Sequence, residues 1–381
     1  MSKDKRVVII VFFVFLLLFI GFCIFNHSTS ITLIFGGDTL VTDYVLEDAY
    51  VSEKKSYDFS KMFKYLKEYV SDYDLAFYNQ ETPISGSQFE YKGDNCYNTP
   101  SIFADTMIDV GFNMVSLANN HVFDGEIGSV NGHVYCYKSE IGVVNSIKYW
   151  RSKNVYYSGS YLSDKERNNI IVKEKNGIKY SLLSYTYGLN IETNFDEVPF
   201  MVNLYDPQKV KKDIESVRNK VDLLIVSMHW GYENELSFVP NKLQEEQAKY
   251  LASLGVDIVI GHHPYVIQPI EKINNTFVFY SLGRIISNKL TDDDYAYLIG
   301  VMPSFKVSKK IVNGKNSVLI ENIGNELIFN YYDSNRKNTL IIPFSKINEK
   351  YLKDYKRIYQ KYSKILKMRD GSIKVNLMNE R

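Results

Sequence analysis

Asp222-Leu223-Leu224-Ile225-Val226-Ser227-Met228-His229-Trp230-Gly231 decides the fold. An apolar run without alternation marks a strand covered on both faces, the environment of a mainly parallel sheet packed between helices. It is opened by an acid and closed by a polar, chemistry-bearing residue, and this grammar recurs along the chain. Ile31–Phe35 ends at Gly36-Gly37-Asp38, and Asp74–Tyr78 ends at Asn79-Gln80-Glu81. Asn113–Leu117 ends at Ala118-Asn119-Asn120-His121, and Val256–Ile260 ends at Gly261-His262-His263.

The stretches between these runs read as helices. Phe59, Met62, Phe63, Leu66, Tyr69 and Val70 have helical spacing within Asp58–Ser71. Ile102–Val110 closes at Gly111 and Leu243–Leu254 at Gly255. Asp206-Pro207 opens a helix through Arg218, with Asp as cap and Pro in the first turn. Asn176-Gly177 predicts a hairpin between flanking strands. Thr276–Ser281 adds a strand, Ala296–Phe344 is mostly strand-like, and Asn348–Lys367 is helical. The alternation defines an α/β class with a central sheet.

Charge excludes one function class. Forty-five Lys and Arg stand against 44 Asp and Glu, a net charge of +1. A nucleic-acid binder carries a strongly basic surface, so nucleic acid is not expected as a partner. The uncharged run Val7–Phe25 has the roughly 20-residue length of a membrane span. Lys3, Lys5 and Arg6 precede it, and the next basic residue is Lys54, which places the N-terminus in the cytoplasm. The alternative is a cleaved signal peptide, but that has a core of about 7–15 residues and small residues at the cleavage site, where this chain has Phe22-Cys23-Ile24-Phe25. The expected organisation is a cytoplasmic tail 1–6, an uncleaved single-pass anchor 7–25, a tether 26–30, a domain 31–295 outside the cell membrane, and C-terminal strands and a helix 296–381 completing it. So short a tether holds the domain close to the membrane. Cys96 and Cys136 lie where a disulfide is chemically allowed, and their pairing stays open; two cysteines do not make a disulfide scaffold.

Four of the six histidines, His121, His229, His262 and His263, fall at strand ends, as do Asp38 and Glu81. In open α/β sheets ligands bind outside the carboxyl ends of the strands. Carboxylate, amide and imidazole donors without thiolate suit one or two divalent ions, Mn, Fe or Zn. Two ions about 3.5–4 Å apart would hold a hydroxide nucleophile, and a His beside a ligand Asn would protonate the leaving group.

Gly37-Asp38, Asn79-Gln80-Glu81-Thr82-Pro83, Ala118-Asn119-Asn120-His121 with Asp124, His229-Trp230-Gly231-Tyr232-Glu233, Gly261-His262-His263-Pro264 with Gln268 and Glu271, and Tyr280-Ser281-Leu282-Gly283 resemble the CapA family of bacterial capsule and poly-γ-glutamate biosynthesis proteins. The resemblance covers roughly residues 31–290. It implies a calcineurin-like metallophosphoesterase fold, a four-layer sandwich of β-sheets flanked by helices. It also implies an anionic polymer as substrate and small membrane subunits of a synthase as partners. Carried over by position, Asp38, Glu81, Asn120, His229 and His262 would ligate metal. His121 with Asp124 would move the proton. Asn79, Asn119, Glu233, His263 and Arg284 would orient ligands or substrate. The choices between Asn79 and Glu81, and between His262 and His263, stay open.

Four positions depart from the family pattern: Gln80, Tyr265 where His is usual, Arg284 where Asn is usual, and Asp43 where Arg is usual. Tyr265 leaves one ion or two open. Arg284 either binds an anion or, more ordinarily, pairs with an acid such as Asp43. Three functions follow: a metal-dependent hydrolase, a non-catalytic polymer-binding subunit of a synthase or exporter, or a membrane-proximal phosphoesterase unrelated to poly-γ-glutamate.

Overall fold

The structure, a computed structural model, describes Phe12 and residues 27–94, 96–130, 133–191, 198–232, 236–288, 295–312 and 315–377. The run Val7–Phe25 lies outside these residues apart from Phe12, and so does Glu233. Among the described residues no helix is long and apolar enough to cross a membrane.

The principal strands are β1 (His27–Thr39), β2 (Leu75–Asn79), β3 (Met114–Ser116), β4 (Glu126–Val130), β5 (His133–Tyr137), β6 (Tyr156–Ser158), β7 (Lys173–Lys175), β8 (Ile178–Thr186), β9 (Leu223–His229), β10 (Ile258–His262), β11 (Ile270–Ile273), β12 (Thr276–Phe279), β13 (Arg284–Ile286), β14 (Ile299–Val312), β15 (Lys315–Tyr331) and β16 (Leu340–Pro343). The principal helices are α1 (Asp43–Ala49), α2 (Lys64–Val70), α3 (Ser101–Val110), α4 (Glu140–Arg151), α5 (Pro207–Val217), α6 (Lys242–Ser253) and α7 (Tyr355–Leu366). The first sheet runs β16-β15-β14-β1-β2-β3-β6 with β13 beside β1; the second runs β11-β12-β10-β9-β8-β7. In the first sheet β1, β2, β3 and β6 are parallel, as are β8, β9, β10 and β12 in the second.

Side-chain alternation sorts the core into layers. Leu33, Phe35, Phe77 and Met114 of the first sheet face Leu182, Ile225, Ile258, Ile260 and Phe279 of the second. The Phe305 ring on β14 lies 5.2 Å from Phe277 and 5.7 Å from Phe279, which ties the sheets together. The opposite set, Ile34, Ala76, Tyr78 and Val115, packs under α1, α2, α3 and Trp150 of α4. The outer face of the second sheet is covered by Val210, Ile214 and Val217 of α5 and Ala248 and Leu251 of α6. Helix, sheet, sheet, helix makes four layers. The capping read from sequence is present, since the Asp206 side chain accepts from Lys209 N–H at 2.8 Å with Pro207 in the first turn.

Two expectations change. Residues His27–Ser30, expected as tether, are the start of β1 and pair with Ile311–Ser308 of β14. An apolar periodicity was absent there because this end of the strand is held by backbone pairing rather than by core packing. Asp58–Ser71 is regular helix only from Lys64, because the Asp58 carboxylate accepts from Ser60 N–H and fixes a turn.

Cys96 and Cys136 form a disulfide across 40 residues of sequence. It staples β5 to the loop carrying Tyr97. Replacing both cysteines by Ser should lower unfolding free energy by about 2–4 kcal/mol, read as a lower Tm and reproduced by reductant on the native protein.

Candidate metal centre

The register of the second sheet brings Thr186, His229 and His262 side by side at the carboxyl edge. On the first sheet Asp38 is level with Asn79 and Arg284. The glycines before the site residues permit this approach. A Cβ on Gly37 would lie 2.0 Å from the Gly283 carbonyl oxygen, and one on Gly261 would lie 2.1 Å from that of Tyr280. Asp38 N–H donates to the same Gly283 carbonyl at 3.0 Å, so the Gly37-Asp38 and Ser281-Leu282-Gly283 motifs fit against each other.

Asp38, Asn79, Glu81, His229, His262 and His263 are all buried. Asp38 Oδ1 lies 2.9 Å from His262 Nδ1 and accepts from Asn79 Nδ2 at 2.8 Å; Oδ2 accepts from His263 N–H at 3.0 Å. Burial alone would raise the Asp38 pKa. The His262 charge and these three hydrogen-bond donors outweigh it and hold the carboxyl below its usual value. His229 Nε2 lies 2.8 Å from Asn120 Oδ1 and 3.8 Å from Glu81 Oε1, while its Nδ1 lies 3.4 Å from Asn79 Nδ2. Burial, and then the neighbouring His263, His262 and His121, push the His229 pKa well below the imidazole norm. The neutral ring is the form that ligates metal.

Donor atoms of Glu81, His229 and His263 all lie within 4.8 Å of one another. Two donors on one tetrahedral ion at ~2.0–2.1 Å are roughly 3.4 Å apart, so this trio fits a single divalent ion after small adjustments. Asn79 Oδ1 and His262 Nε2 are buried and have no hydrogen-bond partner among the described residues, which also fits an ion's donor set. His263 is presented by left-handed backbone (φ 94°), and Tyr265 follows with φ 65°. Backbone strain of this kind is concentrated at functional sites.

His121 and Asp124, the residues expected to move a proton, are brought together. His121 Nδ1 lies 2.8 Å from Asp124 Oδ2, which accepts from Tyr97 N–H at 3.1 Å as well. Asn190 Nδ2 lies 3.3 Å from His121 Nε2, and Asn190 Oδ1 accepts from Asn120 Nδ2 at 3.0 Å. A continuous polar path therefore links His229 to His121. Asn190 was not singled out from the sequence, nor was Tyr187, whose ring lies 4.8 Å from His263. Both follow the end of β8, and a sixth strand ending at the same edge was the signal for them.

Asn119 turns away from this network. Its Nδ2 donates to Gln80 carbonyl and its Oδ1 accepts from His121 N–H, so it braces two loops. Arg284 does not pair with Asp43, whose carboxylate accepts from Gly93 N–H. Arg284 is 1 % exposed, with its guanidinium carbon 3.9 Å from the Tyr265 ring centre and 5.2 Å from that of Tyr297. Tyr265 Oη in turn donates to Glu81 Oε1 at 2.7 Å. Two departures from the family pattern thus form one unit, a cation stacked on the ring that holds Glu81.

A four-layer sandwich with a buried carboxylate–imidazole centre at its strand ends is the class of protein the geometry defines. The family model of the bacterial capsule synthesis protein PGA_cap matches residues 32–289, and the chain belongs to that family. It is 27% identical over 260 residues to the PGA biosynthesis protein CapA of Bacillus subtilis, covering 66% of this chain and 62% of the relative. It is 25% identical over 274 residues to the capsule biosynthesis protein CapA of Bacillus anthracis, covering 68% and 60%. The chain thus matches about three fifths of the length of these relatives. Among solved structures it is similar to a putative 5'-nucleotidase from Staphylococcus aureus, with 14% identity, a TM-score of 0.45, and coverage of 88% of this chain and 58% of that one.

The His229 shift sets a pH dependence for metal-free protein. An unfolded imidazole protonates near pH 6.5 while His229 in the fold resists the proton, so below about pH 6.5 the unfolded state binds more protons and stability falls. Chelator-treated protein should lose up to about 1.4 kcal/mol per pH unit of acidification in this range. The variant H229N should show a flatter curve of Tm against pH.

Proposed function

We propose that the chain is a metal-dependent hydrolase on the outer face of the cell membrane, anchored by Val7–Phe25 and acting on the anionic polymer, or on a phosphoester, handled in capsule production. Family membership supports the capsule role, and the disulfide supports an oxidising, extracytoplasmic location. The observation that carries the hydrolase reading is the convergence of Glu81, His229 and His263 donors in a fully buried setting. One Mn, Fe or Zn ion is the occupancy we favour, because the Tyr265 hydroxyl, with Arg284 stacked on its ring, already holds one oxygen of Glu81.

Glu81, His229 and His263 would hold the ion, with Asp38, Asn79, Asn120 and His262 completing or orienting the set. A divalent ion there supplies Lewis-acid polarisation and an activated water. The chain's own residues do the rest. Asn120 Oδ1 fixes one His229 tautomer. Asp124 fixes the orientation of the His121 ring, and His121 Nε2 would deliver a proton to the leaving group. Burial of the donors keeps bulk water from screening these charges.

A non-catalytic polymer-binding subunit is the second reading, favoured by the complete burial of Asp38, Glu81, His229 and His262. Full-length protein in detergent should contain about one divalent ion per chain by elemental analysis and hydrolyse a generic phosphodiester or a γ-glutamyl polymer. Asp38→Asn and His229→Ala should abolish that activity. His121→Ala should retain the ion and lower kcat by ~10²–10⁴-fold. Protein without stoichiometric metal sinks the hydrolase reading; stoichiometric metal with no hydrolysis of either substrate selects the second.

A further inference from the structure

The apolar run ends at Phe25, two residues before β1 begins at His27. His27 pairs with Ile311 and Ser28 with Lys310 at the end of the long β14–β15 hairpin, whose last pair is Val312 with Lys315. Two residues of chain reach at most ~7 Å and paired strands are ~5 Å apart. On the anchor reading above, the hairpin end therefore lies within about 12 Å of the hydrocarbon boundary, at the depth of lipid headgroups.

The composition of the hairpin suits that depth. In its outer half, Lys306, Lys309, Lys310 and Lys315 stand against Glu321. Lys309 is held by Asp222 at 2.8 Å, while Lys306 and Lys310 are exposed. Directly opposed residues share a face and alternate along the ladder. Val312, Lys310 and Leu319, the last opposite Ser308, thus lie on one face, and Val312 and Leu319 are each 54% exposed. Apolar side chains at a hairpin end with lysines behind them match an interface of hydrocarbon edge and anionic phosphate.

We propose that the end of the β14–β15 hairpin rests on the outer leaflet, Val312 at the headgroup boundary and Lys310 on anionic lipid, so that the domain holds one orientation over its own anchor. The inference rests on the anchor reading, and its test separates the two. The full chain carrying V312W, or V239W as a control at an exposed site near the far ends of the parallel strands, is reconstituted into vesicles of neutral lipid with or without anionic lipid, and with brominated acyl chains. Trp150 and Trp230 are buried and give a constant background. V312W emission should shift to the blue and be quenched, more strongly with anionic lipid, while V239W is unaffected. Lys310→Glu should remove the dependence on anionic lipid. Protein that stays with the vesicles through a carbonate wash but shows V312W no more quenched than V239W overturns the proposal alone. Protein that washes off overturns the anchor reading and the proposal with it.

Discussion

Packing Asp38, Glu81, His229, His262 and His263 together with almost no exposure is the constraint on which the rest of the molecule depends. Each charged form loses its hydration there, and the neighbouring imidazoles push the His229 pKa down further. The arrangement resolves this with a neutral His229 and an Asp38 carboxylate that receives donors on both oxygens. Such a set is stable only if its geometry is dictated from outside. The parallel ladder that aligns Thr186, His229 and His262, and the close seat of Gly37 on Gly283, do the dictating.

That dependence explains which features could be read from sequence. A strand buried on both faces is uniformly apolar, so where it ends in a polar residue the change is abrupt. Asp38, Glu81, His229 and His262 stood out for that reason, and the helix caps at Asp206, Gly111 and Gly255 were equally local. Asn190 was hidden because β8 finishes in Ser184-Tyr185-Thr186, with no charged residue to mark its end. The β1 residues 27–30 were hidden because backbone pairing leaves no periodicity in side chains. The disulfide and the stacking of Arg284 on Tyr265 are contacts across 40 and 19 positions, set by tertiary approach alone.

The Tyr265–Arg284 pair also shows why departures from a family pattern are best read jointly. Each alone looks like damage to a metal site. Together they seat a guanidinium against an aromatic face and use the phenol to fix one oxygen of Glu81. The centre is altered in its charge balance rather than dismantled.

Strand β1 has a further consequence. It begins two residues after the apolar run and carries Asp38 eleven residues later. At ~3.3 Å per residue the buried carboxylate–imidazole cluster lies roughly 36 Å along the strand from its first residue. The strand acts as a rigid standoff, since it is hydrogen-bonded along its length to β14 and β2. On the proposed anchor reading, a bond at the level of lipid headgroups would be out of reach for such a centre. If the proposed polymer is the substrate, only a chain already extended well clear of the surface would arrive at that height, and the distance itself would favour long products over newly started ones.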